Sequence, residues 1–212
     1  ALGLALLVSK KFRGVSIFRT MYFSPQLTSM VVIAVLWSVL YNANPNTGLI
    51  NSLLVSLGME PIKFLSDADT AMNSIIFMSA WQGAGYQMMI FLAGLQGING
   101  ELYEACSLDG ANAWQRLRYI QLPAIRTVID FMLFDVINGS LQMFDIPYIM
   151  TAGGPNGASN TFSIYTIDTA FKYNNFGMAS SMAVIMIFMI VCVQIAQRFI
   201  TNRLRRRDQH GA

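Results

Sequence analysis

Apolar residues run along this chain in long blocks, without the two-residue alternation of a half-buried strand. Four blocks approach the roughly 20 residues that a helix needs to cross a bilayer's hydrocarbon core. The first runs from about Met21 to Tyr41 around the apolar centre Met30–Leu40, with Pro25 expected in its first turn, where a missing N–H costs little. The second covers about Ala71 to Leu95, softened by Trp81-Gln-Gly-Ala-Gly-Tyr86. The third covers about Ala124 to Phe144 and starts just after Pro123, and the fourth runs from Met178 to Ile200. Ahead of them, Ala1–Val8 is apolar and meets Lys10, Lys11 and Arg13, too short to span by itself. A signal peptide places its basic residues before the apolar stretch, the reverse of this order. The run is therefore expected to be the cytoplasmic end of a span whose earlier part is missing from the sequence. The pattern predicts an all-α polytopic membrane helix bundle, four complete spans plus the end of a fifth.

Composition narrows the alternatives. Of the 212 residues 54% are hydrophobic and 12% charged, half the charge of a typical soluble domain (about 25%). Mean hydropathy is +0.47. Too little charge is present to clothe a water-facing surface, which disfavours a disordered segment, a nucleic-acid module and an ordinary cytosolic enzyme. Two cysteines, Cys106 and Cys192, and the single His210 leave no ligand set for zinc and no histidine-based triad.

Charge orients the bundle. Lys10, Lys11, Arg13 and Arg19 precede the first complete block, and Arg116, Arg118 and Arg126 fall between the second and third. Arg198, Arg203, Arg205, Arg206 and Arg207 follow the last, so twelve of the fourteen basic residues share one side. Lys63 and Lys172 lie on the other. Cytoplasmic loops concentrate Lys and Arg, so the basic side is read as cytoplasmic, and the loops at about 42–70 and 145–177 face outward. The basic tail reads as a lipid-headgroup stop signal.

One cytoplasmic stretch, Glu101 to Pro123, does not read as a plain connector. Residues 101–109 are expected to form a short helix with Leu102, Ala105, Cys106 and Leu108 on its apolar face, and Gly110 permits a tight turn. Residues 111–119 form a second amphipathic segment, with Trp114, Leu117 and Tyr119 against lipid or protein. Two readings stay open on pattern alone: a surface helix-turn offered to another protein, or a connector whose Glu104 and Asp109 only cap helix ends.

The order Glu104-Ala105-Cys106, three residues, Gly110, nine residues, Ile120-Gln121-Leu122-Pro123 resembles the EAA motif of binding-protein-dependent ABC importer permeases, with its spacing kept throughout. The chain is similar to the carbohydrate-importing, maltose-permease-like branch at further positions. These are Trp81, Leu92-Ala-Gly-Leu-Gln96, Leu102-Tyr-Glu-Ala105, Asp109-Gly-Ala111, Phe144-Asp145, Thr151-Ala-Gly-Gly-Pro155, Tyr165, Ala170-Phe171 and Gly177-Met-Ala-Ser180. Cys106 departs from the motif's second alanine but stays small, and Asn99 stands where such permeases often carry proline.

The resemblance implies a type I ABC importer transmembrane domain over 1–212, lacking its N-terminal span or spans, with a cytoplasmic coupling loop at 99–123. Glu104, Ala105, Cys106, Asp109 and Gly110 would form the element that docks on a separate ATP-binding cassette ATPase dimer. Glu104 would pair with a basic group there, Ala105 would allow close approach, and Gly110 would hold the turn. ATP and Mg would be bound by that partner and no cofactor by this chain, which has no Gly-x-x-x-x-Gly-Lys-Ser/Thr loop. Further implied partners are a second, different permease subunit, an extracytoplasmic solute-binding protein facing the Gly153–Gly157 turn cluster, and membrane lipid, with no nucleic acid. The location implied is a bacterial or archaeal cytoplasmic (inner) membrane, with multiple passes.

Substrate contacts are sought among polar groups at membrane depth, which are costly and normally face the bundle interior or a watery path. Asp135, Asn138 and Gln142 share one helical stripe, and Ser79, Gln82 and Tyr86 another, with Gly83 thinning the wall beside them. Gln26 and Ser29 are further candidates near the cytoplasmic end of the first complete block. The competing account is helix–helix hydrogen bonding. Amides and hydroxyls beside an aromatic ring, with no Lys or Arg, suit a neutral sugar or oligosaccharide. Glycerol-3-phosphate or another polyol is the alternative within the family. An ion-coupled secondary transporter is the alternative outside it, with Asp135 as its one hint.

Overall fold

The computed structural model describes residues 1–10 and 13–210, with side chains described up to Arg203; Lys11 and the side chains of Arg205–Arg207 and His210 are outside the described part. All the regular structure among the described residues is helical. The chain divides into two units, residues 1–27 with 81–135 and residues 28–80 with 136–212, and two of the three divisions fall within helices, α5 (Ala68–Gln96) and α9 (Arg126–Leu141).

In the first unit the opening apolar run is helix α1 (Leu2–Ser9), followed by α2 (Val15–Leu27). Arg19 of α2 donates from Nη2 to the Val8 carbonyl at 2.7 Å, near the end of α1, where unpaired carbonyls and the helix dipole favour a cation. Ala5 and Val8 are buried with Met88, Phe91, Leu92, Leu95, Ile125 and Met132. Gly85 sets the approach of α2 to α5. A Cβ there would overlap the Tyr22 carbonyl oxygen, with Tyr22 C at 2.7 Å and Phe23 Cα at 3.1 Å, so only hydrogen fits.

The expected block at Met21–Tyr41 is built differently from a straight span. Helix α2 begins at Val15 and stops at Leu27, and a separate helix, α3 (Met30–Leu40), opens after Thr28 and Ser29. Pro25 therefore sits in the last turn of α2 instead of a first turn. Proline has no N–H to give the Met21 carbonyl, which accepts from Ser24 Oγ at 3.1 Å, and the helix ends two residues further on. Each of α2 and α3 is too short to cross a membrane alone; only together are they long and apolar enough. Two further helices are α11 (Phe162–Ile167) and α12 (Phe176–His210), and among the described residues only Phe176–Arg203, within α12, is long and apolar enough as a single helix.

In the second unit α3 packs against α10 (Asp145–Thr151), burying Ile33, Ala34, Trp37, Tyr41, Ile146 and Met150 with Ile75 and Met78. The segment 145–177, expected to lie outside the spans, is not a plain loop at its start: Ile146, Pro147 and Met150 of α10 are core. Aromatic rings extend this core. Tyr41 lies 5.1 Å from Trp37 and 4.8 Å from Phe64, and its hydroxyl donates to the Ser74 carbonyl at 3.2 Å. Helix α4 (Leu49–Ser56) follows a run of asparagine turns: Asn42 Oδ1 accepts from the Asn44 amide and Asn44 Oδ1 from the Asn46 amide, both at 2.9 Å.

Candidate functional site

The segment after α5 forms the turn that the sequence points to. Helix α6 (Gly100–Leu108) is capped by Asn99, whose Oδ1 accepts from the Glu101 amide at 3.1 Å. A side-chain oxygen at the N-cap satisfies one of the helix's free N–H groups. At the other end Asp109 is the C-cap, Gly110 has φ +70°, the Ala111 amide donates to the Cys106 carbonyl at 3.0 Å and the Gly110 amide to the Ser107 carbonyl at 3.3 Å. These two crossed bonds are the Schellman arrangement, whose left-handed residue is glycine for steric reasons. No atom lies within 4 Å of a Cβ built on Gly110, so the backbone angle and not crowding selects glycine.

A second cap follows at once. Asn112 Oδ1 accepts from the Gln115 amide at 2.9 Å, and Gln115 Oε1 from the Asn112 amide at 2.8 Å, a reciprocal box that starts α7 (Ala113–Arg116). A π-helical turn, Leu117–Gln121, and the short α8 (Leu122–Ala124), which holds Pro123, lead into α9. Gln121 Nε2 donates to the Tyr103 hydroxyl at 3.3 Å, tying α6 to that π turn. Glu104, Ala105, Asp109 and Gly110 are exposed and Cys106 is half-buried. The expected apolar face of α6 needs correction. Leu102 is 49% and Leu108 89% exposed, while Tyr103 and Cys106 are the half-buried residues turned inward.

The pathway candidates fall into different settings. In the first unit Gln26 is exposed near the end of α2, and Asp135 is exposed on α9. Gln82 is buried and Tyr86 is 37% exposed on α5. Beside Gly83 the space is nearly open, since a Cβ there would meet only Gln87 Nε2 at 3.5 Å, an ordinary contact; the close backbone approach belongs to Gly85. In the second unit Ser79 turns its hydroxyl back to the Ile75 carbonyl at 2.7 Å, a bond within its own helix. Asn138 and Gln142 are joined, Gln142 Nε2 donating to Asn138 Oδ1 at 2.8 Å, and Gln194 Nε2 of α12 reaches the same oxygen at 3.5 Å. Gln194 is not among the residues singled out from the sequence, although it is one of two amides, with Gln197, in the apolar run of the last span.

The family model for the binding-protein-dependent transport system inner membrane component matches residues 1–206. The chain belongs to this family. Among its relatives, a probable ABC transporter permease protein, YurN of Bacillus subtilis, is 37% identical over 182 residues, covering 85% of this chain and 62% of that protein. The lactose transport system permease protein LacF of Rhizobium radiobacter is 32% identical, covering 91% of the chain and 65% of the relative. The trehalose/maltose transport system permease protein MalF of Thermococcus litoralis is 30% identical, covering 92% and 65%. The chain thus spans less than two thirds of the length of these curated relatives. The crystal structure of a bacterial alginate ABC transporter, in complex with an alginate pentasaccharide-bound periplasmic protein, superposes with a TM-score of 0.86 at 22% identity. The match covers 96% of this chain and 71% of the other and shows the same fold.

Proposed function

We propose that this chain is the core of a permease subunit that imports a sugar or oligosaccharide, crossing the cytoplasmic membrane several times and driven by a separate ATPase. The observation that carries the proposal is the exposed turn Glu104–Gly110. It keeps the permease motif's spacing, is held rigid by a Schellman bond pair and a capping box, and is tied to the π turn through Tyr103 and Gln121. Rigidity matters because a docked element transmits displacement only if it does not deform first. In this reading Glu104 and Asp109 meet basic groups of the ATPase, which binds ATP and Mg, and Ala105 and Cys106 permit close approach.

The substrate class follows from the amide groups. Asn138, Gln142 and Gln194 offer donors and acceptors without net charge, which matches hydroxyls better than phosphate. Relatives named as lactose, trehalose/maltose and arabinooligosaccharide permeases support the same class. An extracytoplasmic binding protein would deliver the substrate, and a second permease would complete the pathway. The outward Gly153–Gly157 turn suits such a contact because it is pre-shaped: Ser159, fully buried, donates to the Gly154 carbonyl at 2.5 Å and contacts Thr151 Oγ1 at 2.6 Å.

Glu104→Lys in the full-length protein is expected to abolish uptake and ATPase co-purification while leaving the subunit in the membrane. Normal co-purification together with normal uptake would overturn the docking assignment.

A further inference from the structure

Helix α4 lies outside the blocks read as spans, yet its surface is not that of an aqueous loop. No Asp, Glu, Lys or Arg occurs between Arg19 and Glu60. One side of α4 is held down by Asn51, which is fully buried. Its Nδ2 donates to the Asn42 and Ile62 carbonyls, each at 2.8 Å, and its Oδ1 accepts from the Ile62 amide at 2.7 Å. The side-chain amide thus bonds the backbone both before and after the helix and fixes which face turns outward. Ile50 on that inward side packs on the Trp37–Tyr41 core. The outward side carries Leu49 and Leu53 at i and i+4, exposed to 69% and 63%, and the C-cap Leu57 just past the helix is 69% exposed. Ser56 beside them is satisfied by its own helix, its hydroxyl donating to the Leu53 carbonyl at 2.7 Å.

We propose that α4 is an interfacial helix, clamped by Asn51 so that Leu49, Leu53 and Leu57 sit in the boundary between lipid headgroups and acyl chains on the outward side. Lipid is the occupant for two reasons. Three leucines cannot supply the ~800 Å² per partner that a stable protein–protein interface buries. An uncharged amphipathic helix that directly follows a membrane block matches a bilayer boundary, where apolar area drives binding. This placement of α4 rests on membership of an inner-membrane family, not on the docking or substrate readings, so Glu104→Lys leaves it untouched.

The test places an indole on the exposed strip. Leu53→Trp in the full-length protein, within its assembled complex in lipid nanodiscs, is compared with the unsubstituted protein to subtract Trp37, Trp81 and Trp114. The added emission is expected to lose more than half its intensity in lipid brominated near the glycerol end of the chain and to resist aqueous iodide. Quenching by iodide alone would show a water-facing or transiently docked helix and overturn the proposal. Protection from both quenchers would show that another subunit covers the strip, with the same consequence. Adding Asn51→Ala should release the clamp and raise iodide quenching. If that variant fails to fold, Leu53→Trp decides alone.

Discussion

Replacing Gly85 by alanine tests the packing that brings α2 against α5. The new methyl would overlap the Tyr22 carbonyl oxygen and stand 2.7 Å from its carbon and 3.1 Å from Phe23 Cα. All three neighbours are backbone, so no side chain can swing away, and relief requires the two helices to separate. Overpacking of this kind costs roughly 1–3 kcal/mol, occasionally more. Against it stands the helix preference of alanine over glycine, about 1 kcal/mol in a helix interior. The net expectation is a loss of up to about 2 kcal/mol, because backbone cannot repack as a side chain can. Gly83→Ala is the matched control two residues away. There the methyl makes one ordinary contact, so only the propensity gain remains and stability should hold or rise. Thermal unfolding of the purified protein in one detergent, followed by tryptophan emission and by circular dichroism, compares both with wild type. A Gly85→Ala protein as stable as Gly83→Ala would refute the close approach of α2 to α5.

Three further outcomes are expected from the same geometry. Ser159→Ala removes a fully buried hydroxyl that serves both the Gly154 carbonyl and Thr151, and should cost about 1–3 kcal/mol locally, seen as faster amide hydrogen exchange over residues 152–160. Asn112→Ala breaks the reciprocal cap of α7 and should cost about 0.5–2 kcal/mol, read as increased protease cleavage between residues 108 and 118 with little change in overall unfolding. Asn138→Ala removes the oxygen shared by Gln142 and Gln194 and should raise the sugar concentration for half-maximal uptake, whereas unchanged uptake would make the cluster a purely structural helix–helix contact.

Much of the molecule is legible from residue order because its determinants are local. Apolar block length fixes an all-helical membrane fold. Glycine's freedom at positive φ places the turn at Gly110, with its crossed amide bonds from Gly110 and Ala111. Asn112 and Gln115 are a capping box at the spacing that a box requires. What the order of residues could not decide depends on partners distant along the chain. Hydropathy made Met21–Tyr41 one block, but where a helix starts is a matter of caps and packing, and starting at Val15 moved Pro25 from a first turn to a last one. Gly83 and Gly85 are equivalent in sequence, and only the path of α2 makes Gly85 the contact. Asn138, Gln142 and Gln194 form one cluster because α12 passes α9 there, a meeting no local pattern encodes. Local sterics and solvent preference thus determined the elements and their turns; the placing of one backbone against another decided which polar groups share a site.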